Sequence, residues 1–291
     1  MSRGARVYSR SKRIERVLVG ILLANLAVVS AKFAVGLAIN SLAVLGDGVH
    51  ASIDAANNIL AIVIIRVAAR EPDDNHPYGH TKFETLGALA IVVFLSVSGF
   101  ELVKGAVARL ATPTSPIDAP PAVFAILVAT LLVNSVVAAY ETRRGRALHS
   151  DLLLADAAHT RADVFITLGV IAAVLAGRVG WSWADPVVAL AVAAALVVIA
   201  YSIVARSVPI LVDQYVLPSE QIRREVERIA GVNRAYAIRS RSTGDRRFAE
   251  LTIAVDPTAS VREAHELADQ VETRLGQAMD FDEITVHVEP C

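Results

Sequence analysis

The sequence predicts a membrane protein, a bundle of six transmembrane helices followed by a small α/β domain with the element order αββαβ. Hydrophobic residues make up 54% of the 291 residues, and the mean hydropathy is +0.50. They collect in six long blocks before Pro209, whereas the remainder is charged and alternates between apolar and polar positions. The net charge of −1 argues against a nucleic-acid-binding protein, which would carry a basic surplus.

The six apolar blocks are each predicted to be a transmembrane helix. A spanning helix needs about 20 apolar residues, and inside a bilayer a helix satisfies its own backbone hydrogen bonds. The predicted domains are a basic N-terminus at 1–16, a six-helix domain at 17–208 and a C-terminal domain at 209–291. The blocks are Val17–Ile39, Leu42–Val67, Leu86–Leu110, Ala122–Tyr140, Leu152–Ala176 and Pro186–Val204.

Basic residues near the ends of the blocks predict the orientation. Cytoplasmic loops carry an excess of lysine and arginine. Such residues cluster before the first block, around the second loop and after the fourth and sixth blocks, whereas the opposite loops offer only Arg109 and Arg178. Both termini are therefore predicted to lie in the cytoplasm, and the protein in the cell membrane.

The C-terminal domain is predicted from alternation and helix caps. Ser219 is the predicted N-cap of its first helix, and Ser260 with Glu263 forms a predicted capping box at its second. The order αββαβ gives a small open sheet with helices on one face. The predicted elements are Ser219–Ala230, Ala235–Arg241, Arg247–Val255, Ser260–Met279 and Glu283–Val288.

Polar residues inside the second and fifth helices predict a metal site. His50 and Asp54 are four residues apart, as are His159 and Asp163, so each pair faces one side of its helix. Two imidazoles and two carboxylates suit tetrahedral Zn²⁺, while imidazole also suits copper, iron and nickel. The alternative is that they are buried hydrogen-bonded pairs that hold the helices together.

Three further groups of polar residues are weaker candidates. Asp47 and Asp156 lie on neighbouring helix faces and are interpreted as supporting the ligands or lining the entry, with direct ligation as the alternative. The loop 73–80 is dense in Asp and His, so it predicts either a second metal site or a solvated turn. His265, His287 and Glu289 form a candidate third site, in which the last two share a strand face.

Two other classes of protein compete with a transporter. An intramembrane zinc hydrolase would keep an open coordination position and commonly carries HExxH, which is missing from the sequence. Four protein ligands leave no such position, so the chain is not expected to be an enzyme. A membrane metal sensor that transports nothing stays open.

Three motifs resemble the cation diffusion facilitator family, and the match runs over nearly the whole chain. The similarity implies a proton-coupled, zinc-type metal exporter, a homodimer whose cytoplasmic domain is ferredoxin-like. It implies a transport site at His50, Asp54, His159 and Asp163. The motifs are Ser41-Leu-Ala-Val-Leu-Gly-Asp-Gly-Val-His50-Ala-Ser-Ile-Asp54, Asp73-Asp-Asn-His76-Pro-Tyr-Gly-His80 and His159-Thr-Arg-Ala-Asp163.

The resemblance also implies secondary sites. Asp73, His76 and His80 match a zinc-binding loop, and Lys82 and Asp213 match a charge pair that links the third helix to the segment after the sixth. Members with a two-metal cytoplasmic site use two further histidines, and these positions look like Tyr236 and Thr252 here. Because these two positions are not histidines, the C-terminal domain is expected to have one weaker metal site or none.

The transported metal is left open among several ions. The His–Asp pair in the second helix is similar to zinc-preferring members, which favours Zn²⁺. Fe²⁺, Cd²⁺, Co²⁺, Ni²⁺ and Mn²⁺ are the alternatives. The expected partners are a second copy of the chain, the lipid bilayer, divalent metal ions and protons, with further bound Zn²⁺ in the loop and the C-terminal domain.

Overall fold

The computed structural model describes residues 3–38, 42–111, 121–178, 181 and 183–291. Within these ranges, the side chains of 3–8, 42–43, 47, 50, 122 and 177–178 lie outside the description. The chain divides into two compact units, Met1–Ser207 and Val208–Cys291, and each is described separately. The predicted domain boundary lay at 208/209.

Six long helices make up the first unit. They are longer than the apolar blocks, because hydropathy marks only the stretch that crosses lipid and a helix continues into charged sequence. The first therefore includes most of the basic segment 1–16, and the fourth runs seven residues past the predicted end at Tyr140. The helices are α1 (Arg3–Ala38), α2 (Leu42–Ala68), α3 (Lys82–Ala111), α4 (Pro121–Ala147), α5 (Asp151–Arg178) and α6 (Ala184–Leu211).

The six helices are each long and apolar enough to span a membrane, over the described residues. Their outer surfaces are apolar: Phe100, Leu132 and Val198 are each more than 60% exposed. Such surface would be unfavourable in water over a whole bundle, whereas lipid accommodates it. The exposure pattern therefore agrees with a multi-pass membrane protein.

The core of the first unit fixes how the helices pack. Leu18, Ile65, Leu95, Leu152 and Leu196 are at most 1% exposed and belong to one cluster drawn from α1, α2, α3, α5 and α6. α2 packs on α1 and α3, and α5 packs on α3 and α4. The fifth helix therefore has neighbours on several sides, which positions the polar residues that it carries.

The second unit is an α/β domain with the predicted order αββαβ. Its sheet has the order β1-β2-β3, with β1 antiparallel and β3 parallel to the central β2. A register shift between Tyr236 and Arg239 coincides with Ala237 at φ 51°, which makes a bulge in β1. The elements are α7 (Ser219–Val226), β1 (Arg234–Ser242), β2 (Arg247–Val255), α8 (Val261–Met279) and β3 (Glu283–Pro290).

Both helices of the second unit pack on one face of the sheet. Ile222, Ile253, Val271 and Leu275 are fully buried between them. The capping box of α8 is confirmed, since Ser260 Oγ accepts a hydrogen bond from the backbone N–H of Glu263 and Glu263 accepts one in return. The predicted N-cap of α7 is wrong: Pro218 takes that position and Ser219 is already helical.

Candidate metal centre

A cluster of three potential ligands lies between α2 and α5. Asp54, His159 and Asp163 each offer one ligand atom, and these atoms lie within 4.8 Å of one another. His159 Nε2 is 3.4 Å from Asp54 Oδ1, and His159 is 8% exposed. The cluster therefore joins groups 105 residues apart in sequence, inside the membrane unit.

The local sequence explains why these side chains converge. α5 runs without a break through His159 and Asp163, so the two residues sit one turn apart on the same face. Three alanines of α5, Ala155, Ala158 and Ala162, are each 1% exposed and belong to the bundle core. Their small side chains are compatible with close packing of the neighbouring helices around the ligands. The fourth predicted ligand, His50, lies in α2, but its side chain is outside the described residues.

The spacing of the cluster is compatible with a transition metal. Tetrahedral zinc with ligands at 2.0–2.2 Å holds them about 3.3–3.6 Å apart. The observed 3.4 Å between His159 Nε2 and Asp54 Oδ1 falls in this range. His159 Nδ1 is buried and has no hydrogen-bond partner among the described residues, so Nε2 is the nitrogen that faces the carboxylates.

Further polar residues are buried inside the bundle beside the cluster. Asp156 is 2% exposed and accepts hydrogen bonds from Asn58, and Glu141 in α4 is fully buried. Asn58 and Glu141 are not among the site residues that the sequence predicts. Both could have been identified as polar residues within or at the end of apolar helices. The predicted fourth helix, however, ended one residue before Glu141.

A second cluster lies in the loop between α2 and α3. Asp73, His76 and His80 offer ligand atoms within 4.8 Å of one another. Asp73 Oδ1 is 3.0 Å from His76 Nδ1, and Asp73 Oδ2 is 3.4 Å from His80 Nε2. Gly79, at φ 85°, supplies a left-handed turn just before His80. The loop thus presents one carboxylate and two imidazoles to a shared position.

Backbone hydrogen bonds favour the ionised form of Asp73. The backbone N–H of His76 donates a hydrogen bond of 2.7 Å to its carboxylate, and the N–H of Asn75 donates another of 3.0 Å. These hydrogen bonds, that from His76 first, hold the pKa of Asp73 below its ordinary value. The carboxylate therefore stays ionised when the solution is mildly acidic.

The candidate C-terminal site is not assembled within one chain. His287 Nε2 lies 3.4 Å from Glu289 Oε1 on the exposed side of β3. His265 lies on α8, which packs on the opposite face, where Val286 and Val288 point. Tyr236 also donates a hydrogen bond to Glu289. Among the described residues, the clusters of three or more metal-binding groups do not include His265, His287 or Glu289.

The predicted charge pair joins residues of different units. Lys82 begins α3 in the first unit, and Asp213 follows α6 in the second. Asp213 lies 3.7 Å from Arg241 within its own unit. A Lys82–Asp213 pair stays a prediction.

Comparison with known proteins accounts for both units. Residues 18–212 match the family model of the cation efflux transmembrane domain, and residues 217–291 match that of the cation efflux protein cytoplasmic domain. An MamM-CTD variant of known structure covers 25% of this chain and 92% of its own, with 27% identity and a TM-score of 0.24.

Curated relatives span nearly the full length. An uncharacterised transporter of Methanocaldococcus jannaschii is 25% identical over 96% of this chain and 99% of its own. The manganese efflux system protein MneP of Bacillus subtilis is 26% identical over 97% of both chains. The cation-efflux pump FieF of Escherichia coli is 27% identical over 86% of this chain and 84% of its own. The chain therefore belongs to the cation diffusion facilitator family of membrane cation efflux transporters, and it is not an enzyme.

Proposed function

We propose that this protein exports divalent transition-metal ions, zinc first, from the cytoplasm in exchange for protons. The observation that supports this most directly is the Asp54–His159–Asp163 cluster between α2 and α5. Ionisable groups inside a membrane bundle are costly, so they are usually functional. His50, one turn before Asp54 in α2, completes the proposed site.

Zinc is the proposed main substrate because of the chemistry of the ligand set. Two imidazoles and two carboxylates suit Zn²⁺, whereas an all-oxygen site suits Mn²⁺ better. Mn²⁺ is the second candidate, since the relative MneP is named for manganese efflux. Fe²⁺, Co²⁺, Ni²⁺ and Cd²⁺ belong in the same test.

Proton exchange follows from what the ligands require. Imidazoles must be neutral and carboxylates ionised before they bind a metal, so protons and metal compete for the same groups. Protonation from the outer side would release the ion, and deprotonation at the inner side would allow another to bind. Alternating exposure requires the helices to populate two arrangements with different access.

Orientation and assembly complete the proposal. The excess of basic residues at the N-terminus and after α4 supports cytoplasmic termini. We propose a homodimer, because a sheet unit of about 80 residues is marginally stable alone and gains from a partner. The proposal does not include a complete metal site within one chain at His265, His287 and Glu289.

Transport by the purified protein tests the function. Liposomes with an acidic interior and a neutral exterior receive Zn²⁺ outside, and a dye inside reports its entry. We expect uptake that scales with the pH gradient and stops when nigericin collapses it. A metal panel under the same gradient should give the highest rate for Zn²⁺.

Three outcomes would contradict parts of the proposal. Uptake that ignores the pH gradient would indicate another driving force, and faster entry of Mn²⁺ would overturn the choice of zinc. Metal binding without flux in sealed liposomes would identify a membrane metal sensor. Protein-free liposomes give the baseline for all three.

We propose that the loop cluster binds a separate metal ion. In equilibrium dialysis of purified protein, His76→Ala should reduce bound zinc by one ion per chain, whereas Asn75→Ala should not, because it keeps the backbone N–H that bonds Asp73. Since hydrogen bonds hold the pKa of Asp73 below its ordinary value, its carboxylate should stay ionised and available to the ion in mildly acidic buffer. Unchanged zinc binding by His76→Ala would contradict the site.

A further inference from the structure

A chain of polar side chains, three of them buried, connects four helices beside the metal cluster. Glu141 in α4 is 0% exposed, Asp156 in α5 is 2% exposed and Asn58 in α2 is 3% exposed. Asn25 in α1 donates a 2.6 Å hydrogen bond to Asn58 Oδ1. The two carboxyl groups of this chain, Glu141 and Asp156, are not members of the Asp54–His159–Asp163 cluster. Such a costly arrangement within membrane helices calls for a function of its own.

The hydrogen bonds of Asn58 favour the ionised form of Asp156. Since Asn25 donates to its amide oxygen, the amide nitrogen of Asn58 faces the other way. It donates to Asp156 Oδ2 at 3.2 Å and is 3.5 Å from Oδ1. A carboxyl group that accepts hydrogen bonds is stabilised in its ionised form. Of the two carboxyl groups in this network, Asp156 is therefore the better placed to be ionised.

Glu141 lacks what an ionised carboxylate needs. Its Oε1 is buried and receives no hydrogen bond from any donor in the described part of the chain. Its Oε2 is 3.1 Å from Thr160 Oγ1, but that hydroxyl is also 3.2 Å from the Asp156 carbonyl and has one hydrogen for the two. An ionised Glu141 would leave a buried charge poorly solvated.

A shared proton resolves both observations. Glu141 Oε2 and the backbone carbonyl of Asp156 both lie within 3.2 Å of the Thr160 hydroxyl, so these two buried residues are neighbours. One proton held by the pair leaves a single buried charge. Two ionised carboxylates side by side in a membrane interior would repel each other strongly. With Asn58 favouring ionised Asp156, the proton belongs on Glu141.

The pair is close enough to the metal cluster to respond to its charge. Asp156 lies one turn before His159 in α5 and interacts electrostatically with His159 and with Asp54 of α2. Glu141 interacts electrostatically with Asp163 and Asp156 of α5. A divalent ion in the cluster would favour loss of the shared proton, and a proton on the pair would weaken metal binding by the same factor.

We propose that Glu141 and Asp156 form a proton-binding site, separate from the metal ligands, that releases one proton when a metal ion enters the Asp54–His159–Asp163 cluster and takes one up when the ion leaves. The inference rests on the proposed exchange of metal for protons. The step breaks and forms only a carboxyl O–H bond. The proton arrives from the outer side and leaves to the cytoplasm, while the metal ion moves the opposite way.

Proton release on metal binding is the quantity that tests this site. Titration calorimetry of the purified full-length protein with Zn²⁺, repeated in buffers of different ionisation enthalpy, gives the number of protons released per bound ion. Glu141→Gln keeps the size of the side chain and can donate to Asp156, but it cannot release a proton. We expect it to bind Zn²⁺ at the cluster and to release one proton fewer than wild type.

Control variants separate a proton site from a structural role. Glu101→Gln makes the same change at an exposed position of α3, beside Lys104, and should leave the count unchanged. Glu141→Asp restores a carboxyl group and should restore the lost proton. If Glu141→Gln does not fold, Glu141→Met replaces it as an uncharged residue of similar length, with the same expected count.

The outcomes distinguish this inference from the proposed function. If wild-type liposomes show no uptake driven by the pH gradient, the proposed exchange itself fails. If the pH gradient drives zinc uptake by wild type but Glu141→Gln releases as many protons as wild type, only the proposed proton site is wrong. Loss of zinc binding by folded Glu141→Gln would also overturn it, because Glu141 would then be required for the metal ligands themselves.

Discussion

Substituting Asp163 with alanine is expected to stop metal uptake, with rates falling to those of protein-free liposomes. Asp163 supplies one of the three described ligand atoms that lie within 4.8 Å of one another. Changing a residue that only supports a metal ligand costs about 10–100-fold in affinity or activity, so loss of a ligand should cost more than about 100-fold. Asp54→Ala should have the same effect from the opposite helix.

A matched carboxylate controls for general damage to the bundle. Asp185→Ala removes an acidic residue from the first turn of α6, where it pairs with Arg109, outside the cluster. It should keep clearly measurable uptake, while folded Asp163→Ala has none. Uptake close to wild type in both Asp54→Ala and Asp163→Ala would remove the cluster from the transport mechanism.

The sequence predicted the central cluster because helix geometry is local. A spacing of four residues places His159 and Asp163 on one face wherever the helix packs. The sequence does not determine which helix face points inward, and that required the packing of α2 and α5 against their neighbours. The three alanines of α5 carry this information, but a single sequence contains many alanines.

Glu141 illustrates what a hydropathy pattern conceals. A window of apolar residues ends at the first charged position, which placed Glu141 outside the fourth helix. α4 continues to Ala147, and neighbouring helices bury the carboxyl group completely. The same pattern does not show that α1 continues into the basic N-terminal segment and begins at Arg3.

The structure does not bring the three residues of the third candidate site together within one chain, because strand alternation describes only one element. Alternation correctly placed His287 and Glu289 on one face of β3, where their polar atoms lie 3.4 Å apart. The position of His265 depends on which face of the sheet α8 covers, and α8 covers the other one. Residues on different elements could be combined only after the layers of the domain were known.

Replacing Glu84 with alanine is expected to destabilise the membrane unit by about 3–5 kcal/mol, the usual cost of removing one partner of a buried ion pair. The carboxylate of Glu84, in α3, accepts a 2.9 Å hydrogen bond from Arg10 Nη1 of α1. Both side chains are largely buried, with 8% of Glu84 and 18% of Arg10 exposed. Truncation would remove the carboxylate that pairs with the guanidinium of Arg10.

Arg10 extends this pair to the end of α4. Its Nε donates to the carbonyl of Leu148 at 2.8 Å and its Nη2 to the carbonyl of His149 at 2.7 Å. These carbonyls follow α4, and a helix end leaves carbonyls without partners in the helix. His149 has φ 47°, a left-handed conformation that costs free energy for a residue other than glycine. The interaction therefore holds α1, α3 and the α4–α5 turn together.

A double-mutant cycle on purified protein measures this interaction. Unfolding free energies of wild type, Arg10→Ala, Glu84→Ala and the double variant should give a coupling energy above about 1 kcal/mol, as residues in one network do. Glu15 and Arg66 form the matched control, because they also join α1 to another helix, at 2.7 Å, but 64% of Arg66 is exposed. Exposed pairs contribute about 0–1 kcal/mol, so Glu15→Ala should change stability little. Equal losses for Glu84→Ala and Glu15→Ala would show that burial does not strengthen the Arg10–Glu84 pair.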